Sequence, residues 1–386
     1  MTAGALTSVQ VSLGDIGFPY HYGVDCIEEI GCSLRSLHAD RLIVVTDDNV
    51  LARHGEALLG VAERSAPIDV LSHRPGEGAK SLSNLSHDLE RALAAGASRR
   101  SVVLAFGGGA PGNLAGMIAA LLFRGIRLVH VPTTTVAAMD SVVSLKQAVN
   151  STFGKNHIGT YHVPEAVYTE ISFLQTLPER ELRSGLCEAA KNCLAIRPTS
   201  TAELREIVAG GDLASTATLL WLLEESLTAK MSVTVEDPKE KHAGLILEYG
   251  HTVGHAVELC DQQLQGALGM SHGDAIALGM VVAAHVSAAL GGLDADAVAL
   301  HEDLLAALGA PTRIPERMSV EAIAEVARRD GKRGYLNVRD GELAMVLLKD
   351  IGVPYTSGGT PLWPVPLDLV YKVMEGLPAR TTSLTT

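Results

Sequence analysis

Ser101-Val102-Val103-Leu104-Ala105-Phe106-Gly107 runs directly into Gly108-Gly109-Ala110-Pro111-Gly112-Asn113 and then Leu114-Ala115-Gly116-Met117. A continuous apolar, partly β-branched run suits a strand buried on both faces, the environment of a parallel sheet covered by helices. Glycines at its end let backbone amides approach a ligand, and a helix starting there adds a favourable field for negative charge. The turn therefore reads as a phosphate cradle, or as a tight structural turn. Its spacing is not GxGxxG, so the usual dinucleotide fingerprint does not apply. Gly76-Glu77-Gly78-Ala79-Lys80-Ser81 imitates a P-loop, but Ala79 stands where glycine must precede the lysine, and that reading fails.

Outward from this turn, Arg41-Leu42-Ile43-Val44-Val45-Thr46-Asp47 and Arg127-Leu128-Val129-His130-Val131-Pro132 repeat the strand pattern. Helix-like segments at 85–95 and 116–123 alternate with them, which predicts a parallel α/β sheet. After Pro178 a 3.6-residue periodicity takes over, at 180–195, 213–234, 251–259, 273–290 and 294–308. The chain of 386 residues suits two domains. The expected division is an α/β domain at 1–178 and a mostly α-helical domain at 179–386. The latter ends in an arm rich in Pro, Gly, Ser and Thr with a helix-like piece at 367–376.

A net charge of −13 and an aromatic content of 4% argue against nucleic acid as a partner, which needs basic surface and stacking platforms. A few lysines in one site still suffice for an anionic small molecule. No apolar run approaches the roughly 20 residues of a membrane span. Residues 1–15 lack the basic and apolar regions of a secretory signal, so the expected location is the cytoplasm, with no membrane partner. The five cysteines are scattered and form no CxxC pair, which speaks against disulfides and thiolate zinc and for small buried apolar groups.

His251-Thr252-Val253-Gly254-His255 sets two imidazoles one helical turn apart on one face. His272 follows, and Glu188 and Lys191 share a face of another helix. Two histidines and a carboxylate make a divalent site with positions left open, whereas singly each histidine reads as a satisfied or solvated imidazole. The absence of the HExxH glutamate argues against a zinc protease. Asp140-Ser141-Val142-Val143-Ser144-Leu145-Lys146, Asn150 and Gly154-Lys155-Asn156-His157 gather lysines and amides. That grouping suits phosphate and hydroxyl recognition, or else an exposed charged loop.

In order along residues 40 to 352, these pieces resemble the dehydroquinate synthase superfamily of sugar-phosphate cyclases. The resemblance rests on Thr46-Asp47-x-Asn49, Pro75-Gly76-Glu77-x-x-Lys80-Ser81, the glycine turn, Pro132-Thr133-Thr134, Gly154-Lys155-Asn156, Glu188-x-x-Lys191, Gly250-His251-Thr252-x-Gly254-His255 and His272-Gly273. It implies an NAD-binding α/β domain, a helical metal-binding domain and a homodimer. By position, Asp47, Asn49, Glu77, Lys80, Gly108, Gly109, Asn113, Thr133, Thr134, Thr176 and Leu177 would contact NAD. Glu188, His251 and His272 would hold the metal, zinc or cobalt. Lys146, Lys191, Glu240 and His255 would serve catalysis, and Asp140, Lys155, Asn156, Lys230 and Lys332 would bind substrate; Glu248, a carboxylate where the family has an amide, is the candidate catalytic base. Arg124 would reach the second subunit's site.

Four departures select a branch. At the lysine turn Ser144-Leu145-Lys146-Gln147-Ala148-Val149-Asn150 stands where the family has GGKTGIN. Asn113 replaces an aspartate of the family. Gly244 replaces an arginine seven residues before the first metal histidine, and Glu248 an asparagine three before it. That arginine serves a substrate carboxylate, and without a carboxylate it would be a buried charge lacking a partner. The SLKQAVN and LEYGHTVGH strings agree with the branch that closes glucose 6-phosphate to 2-deoxy-scyllo-inosose with loss of phosphate, the opening step toward 2-deoxystreptamine aminoglycosides. Lys230, kept where the family has a carboxylate-facing lysine, weighs against it. The alternatives are dehydroquinate formation, cyclisation of sedoheptulose 7-phosphate and, more remotely, an iron-dependent alcohol dehydrogenase.

Overall fold

In a computed structural model describing residues 4–152, 154–266, 269–330, 332 and 334–377, the first half supplies nine strands. They are β1 (Thr7–Leu13), β2 (Ile16–Gly23), β3 (Leu42–Asp47), β4 (Ile68–His73), β5 (Val102–Gly107), β6 (Arg127–Pro132), β7 (Lys146–Ser151), β8 (Gly154–Tyr161) and β9 (Ala166–Glu170). Seven make one sheet in the order β1-β2-β9-β6-β5-β3-β4. Every residue of β3 and β5 is buried, as the unbroken apolar runs require. Alternation divides their side chains: Val44, Leu104 and Phe106 pack with Ile30 and Leu58 on one face. Ile43, Val45 and Val103 pack with Leu114 and Ile118 on the other,.

Two features depart from the expected all-parallel sheet and loop. β1 pairs antiparallel with β2 at the edge, where a tight turn at Gly14-Asp15 reverses the chain. The lysine-bearing segment is a π-helical turn, Ala137–Ser141, followed by the antiparallel ribbon β7–β8.

The chain divides into two compact units. Among described residues the first runs to Leu182 and takes in Leu213–Lys239; the second holds Arg183–Asp212 and the residues from Glu240 onward. This differs from a division at 178/179. Helix Thr216–Thr234 packs on β1 and the π turn, fastened by Lys230 Nζ to Asp140 Oδ1 at 2.7 Å and by the Tyr22 hydroxyl, which donates to Glu224 at 2.8 Å. Helical periodicity says that one face is buried, not in which body.

The second unit is built on helices Glu179–Ala195 (from Arg183), His251–Gln265, His272–Ala289, Ala295–Ala307 and Val320–Ala327. His272–Ala289 is long and apolar enough to cross a membrane, yet 78% of it is buried in the protein, as in a core helix. It crosses His251–Gln265 so closely that a Cβ on Gly279 would lie 2.0 Å from the Gly250 carbonyl oxygen. The crossing carries both histidine-bearing helix starts. Gly279→Ala is expected to destabilise by about 1–3 kcal/mol through overpacking, read by chemical denaturation.

Candidate active site

Gly250 places the first imidazole. Its φ of 78° is left-handed, and a Cβ there would lie 2.6 Å from Met280 Cγ, so only glycine turns the chain into helix His251–Gln265 at this point. His251 then opens the helix, with His255 one turn on. His272 opens the next helix behind the cap Ser271, whose hydroxyl accepts from the Asp274 amide. Glu188 projects from the buried interior of its own helix.

These side chains converge. Glu188 Oε1 lies 3.8 Å from His251 Nε2 and 3.4 Å from His272 Nε2. Donor atoms of His251, His255 and His272 all fall within 4.8 Å of one another. The imidazole orientations suit a cation. His251 Nδ1 is 3.0 Å from the Tyr249 carbonyl, which can only accept, so that nitrogen carries the proton and Nε2 keeps its lone pair inward. His272 Nδ1 rests 3.2 Å from Glu258 Oε2, an outer carboxylate of the kind that orients metal-bound histidines.

The electrostatics agree. Both Glu188 oxygens are buried, with Lys191 Nζ 2.5 Å from Oε2. Burial pushes the Glu188 carboxyl up, but Lys191, His272 and His251 more than offset it and hold it well below the carboxylate range. Burial, aided by Lys191, pushes His251 down to about 3, keeping the ring neutral. For His272 burial is overcome by hydrogen bonds to Glu188 and Glu258, which lift it to about 10. Two carboxylates trained on one imidazole favour positive charge there, which a divalent ion supplies as well as a proton does. The donor set therefore fits a metal of the zinc or cobalt type.

Beside the histidines, Lys332 Nζ lies 3.2 Å from Glu248 Oε2 and 3.0 Å from Asp330 Oδ1. Burial raises Asp330, and Lys332 with His255 outweighs it, bringing it down to about 2. His255 Nδ1 is 3.8 Å from Asp330 Oδ2. A cavity of about 750 Å³ lined by Thr252, Asp330, Lys332, Asn337 and Arg339 adjoins this group. Glu240 is buried with a left-handed backbone where the chain re-enters this unit, and Gly244 is buried within the short helix Ala243–Glu248.

The first unit presents the glycine turn. Gly107 has φ 151°, and a Cβ would meet Pro111 Cγ at 2.7 Å. Gly108 caps the 13-residue helix Gly109–Leu121, leaving first-turn amides for a diphosphate. Asn113 donates to the Gly109 carbonyl at 2.9 Å and accepts from the Ala148 amide at 3.0 Å. An aspartate could not make the first of these bonds, which gives a local reason for this departure. Asp47 caps its helix through the amides of Asn49 and Val50. Thr133 is buried, Thr134 accepts from the Ala137 amide, and Thr176 meets His54 and Arg53, next to half-buried Leu177.

Glu77, Lys80, Asn150 and Asn156 form one network. Lys80 Nζ donates to Asn156 Oδ1 at 2.7 Å, and Asn150 Nδ2 to Glu77 Oε2 at 2.9 Å. Lys146 and Arg124 are exposed, and Lys155 is half-buried on the ribbon. Lys230 is spent on Asp140, which lessens its weight as a carboxylate-facing lysine. The sequence reading missed Glu258, Asp330 and His130. His130 is buried, its Nε2 has no hydrogen-bond partner among the described residues, and it lines the floor of the glycine turn. None carries a local motif; their roles arise from contacts distant in sequence.

Comparison with known proteins gives the family and the fold. Family models described as 3-dehydroquinate synthase N-terminal and C-terminal match residues 70–184 and 185–333. A 2-deoxy-scyllo-inosose synthase from Micromonospora echinospora is 47% identical over 95% of this chain and 91% of its own length. A crystal structure of 2-deoxy-scyllo-inosose synthase complexed with carbaglucose-6-phosphate, NAD+ and Co2+ has a TM-score of 0.89 and 36% identity, covering 96% of this chain and 100% of that one. A 2-epi-5-epi-valiolone synthase from Streptomyces hygroscopicus, at 22% identity and a TM-score of 0.80 over 95% and 98% of the two chains, shares the fold.

Proposed function

The chain belongs to the 3-dehydroquinate synthase family, and from that premise we propose that it is a carbon–oxygen lyase converting D-glucose 6-phosphate to 2-deoxy-scyllo-inosose. Phosphate is released, NAD and a divalent ion are required, and the product feeds 2-deoxystreptamine aminoglycosides. The convergence of Glu188, His251 and His272 carries the reading. Relatives 44–47% identical and named for that product support the branch. A related structure holding a glucose-6-phosphate analogue, NAD+ and Co2+ supports the substrate class and cofactors.

When bound, the ion would supply Lewis acidity and NAD a reversible hydride acceptor, chemistry that acidifies the C5 proton once C4 is a ketone. Glu188, His251 and His272 hold the ion, with Lys191 keeping Glu188 ionised. The glycine turn and Asn113, with Asp47, Asn49, Glu77, Lys80, Thr133, Thr134, Thr176 and Leu177, hold the dinucleotide. Lys146, Lys155, Asn156 and His255 bind the phosphate and hydroxyls and balance charge developing on oxygen. Glu248 takes the C5 proton as phosphate departs from C6, while Lys332 fixes its side chain. Asp140 with Lys230, and Glu240, shape the substrate site. The working form is a cytoplasmic homodimer in which Arg124 reaches the second subunit's site.

The dehydroquinate precursor, the family substrate that carries a carboxylate, is disfavoured by Gly244, which offers it no guanidinium. Phosphate release measured on glucose 6-phosphate, sedoheptulose 7-phosphate and the dehydroquinate precursor should occur with the first alone. Release only from either of the others would overturn the assignment.

A further inference from the structure

Tyr249 is fully buried one residue after Glu248 and two before His251. Its hydroxyl lies 2.8 Å from His301 Nε2, and His301 Nδ1 lies 2.7 Å from the Ala297 carbonyl. A carbonyl only accepts, so Nδ1 of His301 bears the proton and Nε2 takes the bond from the Tyr249 hydroxyl. His301 is itself fully buried in helix Ala295–Ala307, and burial keeps its ring neutral by pushing it down to about 4. At its other end Tyr249 offers its carbonyl to His251 Nδ1. One residue thus joins a neutral histidine in the packed core to the inward-facing imidazole. Gly250 between them is left-handed.

We propose that Tyr249 and His301 are positioning residues which, through the Tyr249 carbonyl, hold His251 in the tautomer and ring plane that bind the divalent ion. The inference rests on the metal reading above. Neither side chain touches the ion or the substrate. Their contribution is to remove the freedom with which segment 248–251 would otherwise shift its carbonyl. Outer partners of metal-bound histidines typically carry about 10–100-fold in metal affinity, and a partner one step further out belongs at the lower end.

The test uses full-length protein stripped of metal, titrated with Zn2+ against a chromophoric chelator and loaded with Co2+ for visible absorption. Melting of the metal-free form is measured in parallel. Tyr249→Phe is expected to weaken Zn2+ binding about tenfold and to alter the Co2+ bands. His301→Leu should do the same, and the double variant should be no weaker than either single one, as residues acting through one bond require. His301→Gln restores an acceptor for the phenol and should bind Zn2+ like the unaltered protein, which also guards against misfolding of the other variants. Unchanged Zn2+ affinity and Co2+ spectra in Tyr249→Phe and His301→Leu, with only the melting temperature lowered, would overturn the proposal. Unaltered protein that binds no ion would overturn the metal centre itself, a different result.

Discussion

His251→Ala is expected to release the divalent ion and to cut turnover by at least about a thousandfold, since metal polarisation is worth several kcal/mol. The side chain has one outward bond, to the Tyr249 carbonyl, and one inward nitrogen 3.8 Å from Glu188. Truncation frees a backbone acceptor and removes a ligand, yet leaves Lys191 paired with Glu188. The fold should persist. Glu188→Gln is a poorer test, because it also removes the carboxylate 2.5 Å from the buried Lys191 ammonium and so perturbs a second buried charge. Elemental analysis of dialysed protein and circular dichroism check both halves. Retained metal with retained activity would remove His251 from the centre.

Glu248→Gln is expected to leave NAD and metal binding intact while lowering phosphate release by about 10²–10⁴-fold, the usual span for general base catalysis. The substitution is clean because Lys332 keeps Asp330 as a second partner at 3.0 Å, so no buried cation is left alone. The amide is nearly isosteric and still accepts from Lys332, but it takes up no proton. Stability should therefore hardly change. Phosphate release at the normal rate would show that the C5 proton leaves by another route.

Much of this was legible in the sequence because it is local. The apolar runs of β3, β5 and β6 state their own burial, and the glycines that follow β5 mark its turn. The spacing of His251 and His255 sets one helix face. Glu188 and His272 were readable as candidate ligands by residue type, but their approach to His251 was not, since it is made by contacts between separate helices. Glu258, Asp330 and His301 were not readable, because the contacts that tie them to the site, with His272, His255 and Tyr249, join residues distant along the chain. The placement of Thr216–Thr234 in the first unit was hidden for a similar reason. Its apolar periodicity is satisfied equally well by either body, and Lys230 reveals its partner only once Asp140 is in place. The ribbon β7–β8 lacked the alternation of a half-buried strand, because β8 is largely exposed or half-buried along its length.

The central claim is that carbocycle formation with loss of phosphate occurs without net redox change. Purified protein supplied with D-glucose 6-phosphate, NAD+ and Co2+ should yield 2-deoxy-scyllo-inosose by NMR and one inorganic phosphate for each substrate consumed. Absorbance at the NADH maximum should stay flat. Steady accumulation of NADH with the phosphate ester intact would contradict the claim and mark the chain as a dehydrogenase built on the same fold.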